Sequence, residues 1–569
     1  MSGMNKMQRL WIKSKDKLVP VLLCALFFGY IIVMFAHNMF RIEVVQDYLS
    51  IVYVWAGYGR YLFIIVLLSA YFKKKDDYKF WTAVLGAEYV LQLILTFVFC
   101  VQFTRASMVL FVDLAAYFFI YVTCPAVIAW LIGRISRAVR NDLLSVTILL
   151  MLGGIFLFNV IQEILAFPVF HLSEYTYTII SKVFIIFNNS LRNTFSSPNI
   201  FAPFFVGITD VGTVVLWISL FILIFGMIRK KKTALAMAVP VFGALILVTL
   251  PENKYETYFN QSALVHERKM LDSWNDERVY YDKSADLKDT NIALEYKNPF
   301  EPVRAETDFA VEAYELDITV GRKTKFKAVM QLSGAGVNEY TFSLYHGYQI
   351  QSITDKEGSE LLFQQNDDYF TIFSNGKSLE EITIVYEGTG HTYMASDVYT
   401  CLPEYYIYYP VAGKYSLYDL GTQNYSRNIS LPETKFSIMV HADYPVYSNL
   451  SSNGDNMFSG TGTGATLVGG RYVEVCDVDG TTVVYPVLKA DARRAGEQYT
   501  NIVAAFQKQG VVLDKKTWFV CPYYGGNFGR YYMGDRYMFG SYDELMVNTA
   551  ALVYYGQMYG IFFDEEEAR

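Results

Sequence analysis

Thr233–Leu250 reads TALAMAVPVFGALILVTL, follows the basic cluster Arg229-Lys230-Lys231-Lys232, and runs into PENKYETY at Pro251. It carries no charge, and about eighteen apolar or small residues suffice to cross a bilayer as a helix. Nearly everything before this stretch is apolar enough to lie in a membrane, and nothing after it is. Lys and Arg are retained on the cytoplasmic side, so the basic cluster sets the start of the segment inside. The chain then emerges on the outer face, and Pro251 to Arg569 is expected to form one large exterior region.

Bulk numbers hide this division. The chain has 569 residues, 53% hydrophobic and 17% aromatic, but the first 250 are long apolar runs and the rest is Tyr-rich and studded with Asp and Glu. The net charge is −7, with no basic stripe outside the expected cytoplasmic loops, which argues against nucleic-acid binding. Of six cysteines, Cys24, Cys100 and Cys124 lie in apolar segments, while Cys401, Cys476 and Cys521 are far apart in the exterior half. At most one internal disulfide is available outside, so a disulfide scaffold is excluded. Lys6 to Lys17 followed by Leu18 resembles the opening of a signal peptide. The apolar run continues to Phe35 without a small-residue cleavage site, and a retained first span is expected.

Met1 to Lys17 interleaves Lys6, Arg9, Lys13, Lys15 and Lys17 with Met7, Leu10, Trp11 and Ile12, as in an amphipathic helix on the inner surface or a plain basic tail. Residues 18–250 form the transmembrane domain. Spans are expected at Leu18–Ala36, Leu49–Phe72, Phe80–Phe103, Ala106–Gly133, Leu143–Phe170, Asp210–Ile228 and Thr233–Leu250, about seven in all. The loops that this order puts inside carry Lys73-Lys74-Lys75 with Lys79, then Arg134, Arg137 and Arg140, then Arg229 to Lys232. The outer loops hold little basic charge, so the N-terminus is expected inside and the C-terminus outside. The outer loop 171–209 differs from the others. Its short apolar runs, Val183–Phe187 and Ile200–Val206 among them, suit re-entrant or interfacial helices rather than full spans.

An inner-surface helix, six spans, a basic loop after the second and helices dipping back between the fifth and sixth resemble an ABC-2 type transporter permease. The resemblance covers residues 1–232 and rests on architecture; the seventh span departs from it. It implies pairing with a second permease, identical or not, and with a cytoplasmic ABC ATPase. The ATPase-docking loop maps to Lys73, Lys74, Lys75, Asp76, Asp77 and Tyr78. This chain contains no GxxxxGK[ST], and the glycine-rich Gly460–Gly464 lacks the Lys and helix of a P-loop. No cofactor is therefore expected in the chain itself, and ATP would be hydrolysed by the partner.

Arg60, Glu88, Asp113 and Glu163 are ionisable residues inside expected spans. Each is costly there unless paired or facing water, which makes each a candidate site residue. Arg60 falls at about the depth of Glu88 and Asp113, so a structural tie between helices is the preferred reading over contact with a substrate. Glu163, one helical turn after Asn159, falls near the outer end of its span and the interface.

In the exterior half, 251–307 reads as a stalk or linker, with helical spacing over Glu252–Lys283. HERKM at His266–Met270 has the first half of a zinc-protease motif, but Met270 stands where the second histidine belongs. From Asp308 the period becomes two. Tyr314, Leu316, Ile318 and Val320 alternate with polar residues, and short strands are expected at Phe326–Leu332, Tyr340–Tyr345, Tyr348–Thr354, Tyr369–Phe373, Ile382–Tyr386, Tyr405–Tyr409, Phe436–His441 and Tyr472–Cys476. The fold class is thus an α-helical polytopic membrane domain followed by a mainly β, sandwich-like exterior domain over 308–490. A short α/β part over 491–569 adds a helix Ala492–Gln509, a strand Thr517–Cys521 and a helix Tyr542–Tyr559.

YELDITV with FKAVMQL, FSLYHGYQIQSITDKEGSELLF, ITIVYEG, YYIYYP, FSIMVHADYPVYSNLSSNG and LVGGRYVEV resemble, in that order, the N-terminal β-domain of M1 family zinc aminopeptidases. The 491–569 part is similar to the opening of that family's second domain and stops before it. The family's HExxH helix, downstream Glu ligand and GxMEN loop have no counterpart. His346, His391 and His441 are scattered among strands and suggest no metal site. No catalytic residue is expected outside.

Three functions fit these readings. The first is a permease subunit, an exporter moving a peptide or lipid across the plasma membrane. The second is a membrane-anchored exterior peptide-binding or sensor module. The third is the non-catalytic part of a split peptidase whose active site comes from another chain. Seven spans with intramembrane charges exceed what an anchor requires, which favours the first.

Overall fold

Long apolar runs become helices, alternating runs become strands, and the two kinds separate along the chain. The computed structural model describes residues 61–72, 78–101, 107–158, 208–229, 238–249, 307–521 and 532–541, apart from short gaps, together with isolated positions such as Val183. The chain divides into two compact units: residues 1–193 with 204–252 and 259–266, and residues 267–569 with 194–203 and 253–258.

The described part of the first unit is helical. Its elements are α1 (Tyr61–Phe72), α2 (Tyr78–Cys100), α3 (Ser107–Phe118), α4 (Cys124–Ala138), α5 (Asp142–Phe158), α6 (Ile208–Ile228) and α7 (Ala238–Thr249). A π-helical turn, Phe119–Thr123, joins α3 to α4 without a break. Three described helices are long and apolar enough to cross a membrane, Tyr78–Val98, Met108–Ala138 and Asp210–Ile228. The other apolar helices are shorter. α7 covers twelve residues of the predicted Thr233–Leu250 span, about 18 Å of rise. Pro240 lies in its first turn, where its missing N–H costs no helical bond; further in, its ring would clash with the preceding turn.

The interior of this unit is apolar at Val66, Leu114 and Ile132 but also holds polar residues, while apolar ones are exposed on its outside. On α2, Val90, Ile94 and Phe97 are 53%, 54% and 53% exposed, whereas Glu88, Gln92 and Thr96 are 0%, 4% and 0% exposed. Leu143, Leu150, Val239 and Phe242 are likewise exposed on α5 and α7. Close packing depends on a small residue: at Gly133 an added Cβ would come within 2.6 Å of the Leu67 carbonyl oxygen and 2.8 Å of the Ala70 Cβ. α4 and α1 thus meet backbone to backbone.

The second unit is mainly β. Its largest sheet has seven strands: β1 (Ala310–Thr319), β2 (Thr324–Ser333), β4 (Tyr348–Asp355), β7 (Glu381–Gly388), β13 (Thr434–His441), β15 (Ser451–Gly454) and β16 (Met457–Gly462), in the order β15-β16-β13-β1-β2-β7-β4. Only β1 and β13 pair in parallel. β13 alternates buried and exposed along its whole length, which fixes one face to the core. A four-stranded sheet, β10-β3-β6-β5, comprises β3 (Glu339–Ser343), β5 (Leu362–Asn366), β6 (Tyr369–Phe373) and β10 (Val411–Ala412). A second, β14-β17-β9-β8, comprises β8 (Met394–Ala395), β9 (Tyr399–Leu402), β14 (Val446–Ser448) and β17 (Leu467–Gly470). β11 (Tyr418–Asp419) and β12 (Asn424–Tyr425) pair as a small ribbon.

Aromatic rings hold this core in register. Phe326 opposite Tyr386, Tyr314 opposite Phe436 and Phe342 opposite Phe370 are direct cross-strand partners. Their rings stack at 4.8, 5.2 and 5.1 Å, a pairing that stabilises neighbouring strands beyond the area it buries.

Tyr405–Tyr409, predicted as a strand, is instead a turn with irregular backbone. All five of its residues are buried, and a strand can bury every residue only between two covering layers. Tyrosine hydroxyls satisfy the backbone here in place of a ladder: Tyr386 Oη donates to the Tyr408 carbonyl at 3.0 Å and Tyr314 Oη to the Pro410 carbonyl at 2.9 Å. Tyr408 Oη in turn donates to the Ala465 carbonyl at 2.8 Å. The segment is a buried tie between strands, and tyrosine hydroxyls reach its carbonyls because every buried C=O needs a partner.

The last sheet, β18-β19-β20-β22-β21, crosses residue 490. It consists of β18 (Val473–Val478), β19 (Thr481–Pro486), β20 (Thr517–Cys521), β21 (Tyr532–Met533) and β22 (Tyr537–Ser541). Asp479 and Gly480 both have positive φ, 51° and 83°, the two-residue turn that closes a β18–β19 hairpin. β19 and β20 run parallel, so a crossover must join them, and α8 (Ala492–Lys508) provides it. α8 buries Ala495, Tyr499, Ile502 and Phe506 on one face, with Tyr499 Oη hydrogen-bonded to Thr481 Oγ1 at 3.0 Å.

The expected helix at 1–17, the span Leu18–Ala36 apart from helical Gly29, Ile32 and Val33, the helix Glu252–Lys283, the helix Tyr542–Tyr559 apart from helical Gly556, and nearly all of the outer loop 171–209 lie outside the described residues.

Candidate functional site

The polar centre of the helical unit is built on the π turn. An extra residue in one helical turn rotates the side chains that follow it, and such turns cluster at functional sites. Here Tyr121 and Thr123 of the turn reach carboxylates on two different helices. Tyr121 Oη donates to Asp210 Oδ1 of α6 at 2.9 Å. Thr123 Oγ1 donates to Glu88 Oε2 of α2 at 3.4 Å, a long contact. Both carboxylates are fully buried. Burying a carboxyl in apolar surroundings costs several kcal/mol, so the fold maintains two such groups against a strong penalty.

Glu88 is not bridged to a basic residue by an ion pair among the described residues. Glu88 Oε1 has no hydrogen-bond partner among the described residues, nor do Gln92 Oε1, Thr96 Oγ1 and Trp81 Nε1 on the same helix. Tyr89 Oη donates to the Ala115 carbonyl at 3.2 Å and ties α2 to α3. A second polar group joins α1, α4 and α5: Arg137 Nη1 donates to the Tyr71 carbonyl at 3.0 Å, and Ser145 Oγ to the Ser136 carbonyl at 2.6 Å. Trp217 Nε1 of α6 donates to the Val183 carbonyl at 2.6 Å, the one described contact of the outer loop.

Of the site residues expected from sequence, Glu88 is buried against Thr123 and Asp113 is half-buried on α3. Tyr78 is exposed at the first residue of α2. Arg60, Lys73, Lys74, Lys75, Asp76, Asp77 and Glu163 lie outside the described residues, and with them the proposed tie of Arg60 to a carboxylate. Asp210 was missed as a site because it opens a predicted span and reads as a boundary. A carboxylate preceding a run of about eighteen apolar residues was the available signal.

In the β-rich unit, His346 Nδ1 lies 2.9 Å from Asp368 Oδ1, which also accepts the His346 backbone N–H at 2.9 Å. His441 Nε2 lies 3.0 Å from Asp317 Oδ1 at the surface, and His391 lies outside the described residues. Among the described residues no three His, Cys, Asp or Glu side chains come together as a metal-binding group. Cys401 is buried and Cys476 is partly exposed. Burial and the neighbouring Asp477 push the Cys476 thiol above its ordinary value. A cavity of about 610 Å³ opens beside the β1–β13 pair, with Asp308, Tyr314, Tyr409, Tyr415, Thr434 and Phe436 among its lining.

No protein-family model matches this chain, and no curated protein sequence does either. Likeness to solved structures is found. Yeast LTA4 hydrolase in complex with bestatin is 12% identical with a TM-score of 0.31, over 46% of this chain and 44% of that one. An M1 zinc metallopeptidase from Deinococcus radiodurans is 9% identical with a TM-score of 0.28, over 43% of this chain and 63% of that one. An aminopeptidase N family protein from Idiomarina loihiensis is 9% identical with a TM-score of 0.28, over 41% and 43%. The match spans less than half the length of the yeast enzyme. M1 peptidases are also the family that the strand motifs of 308–490 resemble, but scores at this level carry no weight for a shared activity.

Proposed function

We propose that the chain is a polytopic membrane protein, the permease subunit of an exporter driven by a separate cytoplasmic ATPase. The observation that carries this is the outer surface and centre of the helical unit: large apolar side chains such as Val90, Ile94 and Phe97 are exposed, and two carboxylates on different helices face inward onto the π turn. An apolar exterior suits lipid, and buried ionisable groups in such a bundle belong to a working path rather than to an anchor. The charge pattern supports about seven spans with the N-terminus inside and the β-rich unit outside, in the plasma membrane.

The ABC-2 resemblance supplies the partners: a second permease and an ATPase that docks on Lys73 to Tyr78. The exterior unit is then a non-catalytic domain, with no HExxH in the sequence. A second reading, in which that unit captures a peptide, is favoured by the cavity beside β1 and β13.

The test is affinity purification of the detergent-solubilised full chain. A cytoplasmic ATPase should co-elute in stoichiometric amount and be lost when Lys73, Lys74 and Lys75 are replaced by Glu. A chain that purifies alone from native membranes would overturn the permease reading and leave peptide capture as the function.

A further inference from the structure

Trp81, Leu85, Glu88, Gln92 and Thr96 fall within one stripe of α2, and all are buried. Above Glu88, toward Cys100, the atoms of the stripe without partners among the described residues are all oxygens: Glu88 Oε1, Gln92 Oε1 and Thr96 Oγ1. Below Glu88 the stripe turns apolar at Leu85, and beyond it lies the Trp81 indole N–H, a donor rather than an acceptor, likewise without a partner among the described residues. Unsatisfied buried oxygens are rare because each carries a desolvation cost of about 1–3 kcal/mol. Three stand in a row on one stripe of one helix, at intervals of four residues, close enough for a line of donors to satisfy in turn.

We propose that this stripe is a one-sided proton path, a file of water leading from the Cys100 end of α2 to Glu88 and stopping there. Eight residues of helix separate Glu88 from Thr96, about 12 Å of rise. One metal cation with oxygen ligands at about 2.3–2.6 Å cannot touch all three side chains over that length. A file of waters can, since each needs only about three hydrogen bonds. The step is a transfer in place: a hydronium in the file gives its proton to the Glu88 carboxylate, leaving water and a neutral carboxylic acid, and the reverse step returns it.

The groups around Glu88 suit this role. The elements packed against α2 contribute Asp113 and Tyr117 from α3 and Tyr121 from the π turn, followed by Cys124, with Tyr89 on α2 itself; α3 and the π turn carry no lysine, arginine or histidine. Thr123 offers a neutral hydroxyl to Oε2. The loop charges put the Cys100 end on the outer side, so the proton enters from outside. This inference rests on reading α2 as a membrane span, not on the ATPase partner.

The test is infrared spectroscopy of the full chain in lipid nanodiscs, with wild type minus Glu88→Gln isolating the Glu88 carboxyl band through a pH titration. The band should titrate and shift on transfer to D2O. Exchange should slow by roughly an order of magnitude or more in Gln92→Leu/Thr96→Val, because apolar side chains exclude the file, and should stay at the wild-type rate in Thr96→Ser. Each single variant, Gln92→Leu or Thr96→Val, should slow exchange on its own should the double variant fail to reach the membrane. Unchanged exchange in the apolar variants would overturn the proposal, as would a band that answers to sodium rather than to pH. Absence of a co-purifying ATPase would leave this exchange untouched, so failure of the permease reading is separately visible.

Discussion

Tyr314, Tyr386, Tyr408 and Tyr409 are buried in the β-rich unit, and burial pushes each phenol well above its ordinary value of 10.0. The folded state therefore holds these protons after an unfolded chain would have released them. Stability from this source is fully present below about pH 10 and falls as pH rises beyond it. Tyrosinate absorbance of the buried set should accordingly appear only together with loss of the near-UV circular dichroism signal. Ionisation of the whole set with that signal intact would contradict the burial described. The tyrosine hydroxyls also explain an error of sequence reading. Tyr405–Tyr409 has strand-like composition, but its Tyr408 carbonyl accepts from the Tyr386 side chain and its Ile407 carbonyl from the Tyr345 N–H, both distant in sequence, and no local pattern announces that.

At the scale of elements, close approach of α4 to α1 depends on Gly133, where a side chain would collide with the Leu67 carbonyl oxygen and Ala70. Gly133→Ala forces the helices apart or strains them, at about 1–3 kcal/mol, and should lower the thermal midpoint of the detergent-solubilised chain; an unchanged midpoint would contradict the contact. Elements with a clear period were legible in the sequence. Tyr369–Phe373 and Thr517–Cys521 are strands with the predicted ends, and α8 ends one residue before its predicted limit. Leu467–Gly470 was not legible, because all four residues are buried and no alternation remains. Glu88 stood out as a charge in an apolar run. Its partner Thr123 did not, since a π turn changes the aim of side chains without changing hydropathy.

For the whole molecule, the break in composition near residue 251 separates a helical unit from a β-rich one, and the two differ in what they leave exposed. The first buries two carboxylates within an apolar interior and exposes apolar residues such as Ile94 and Phe97; the second keeps stacked aromatic rings inside. Residue 490 reads as a boundary because period-two strands give way to a helix there. The sheet nevertheless continues through it, since β19 pairs with β20 across the whole length of α8. Pairing over such a separation leaves no trace in a local pattern. The account stands or falls on whether the buried carboxylates are coupled to an energy source. The most direct measurement is ATP hydrolysis by the purified assembly, comparing wild type with Glu88→Gln/Asp210→Asn. The account predicts an intact assembly whose hydrolysis falls by about an order of magnitude or more; equal rates, or a preparation without ATPase, would contradict it.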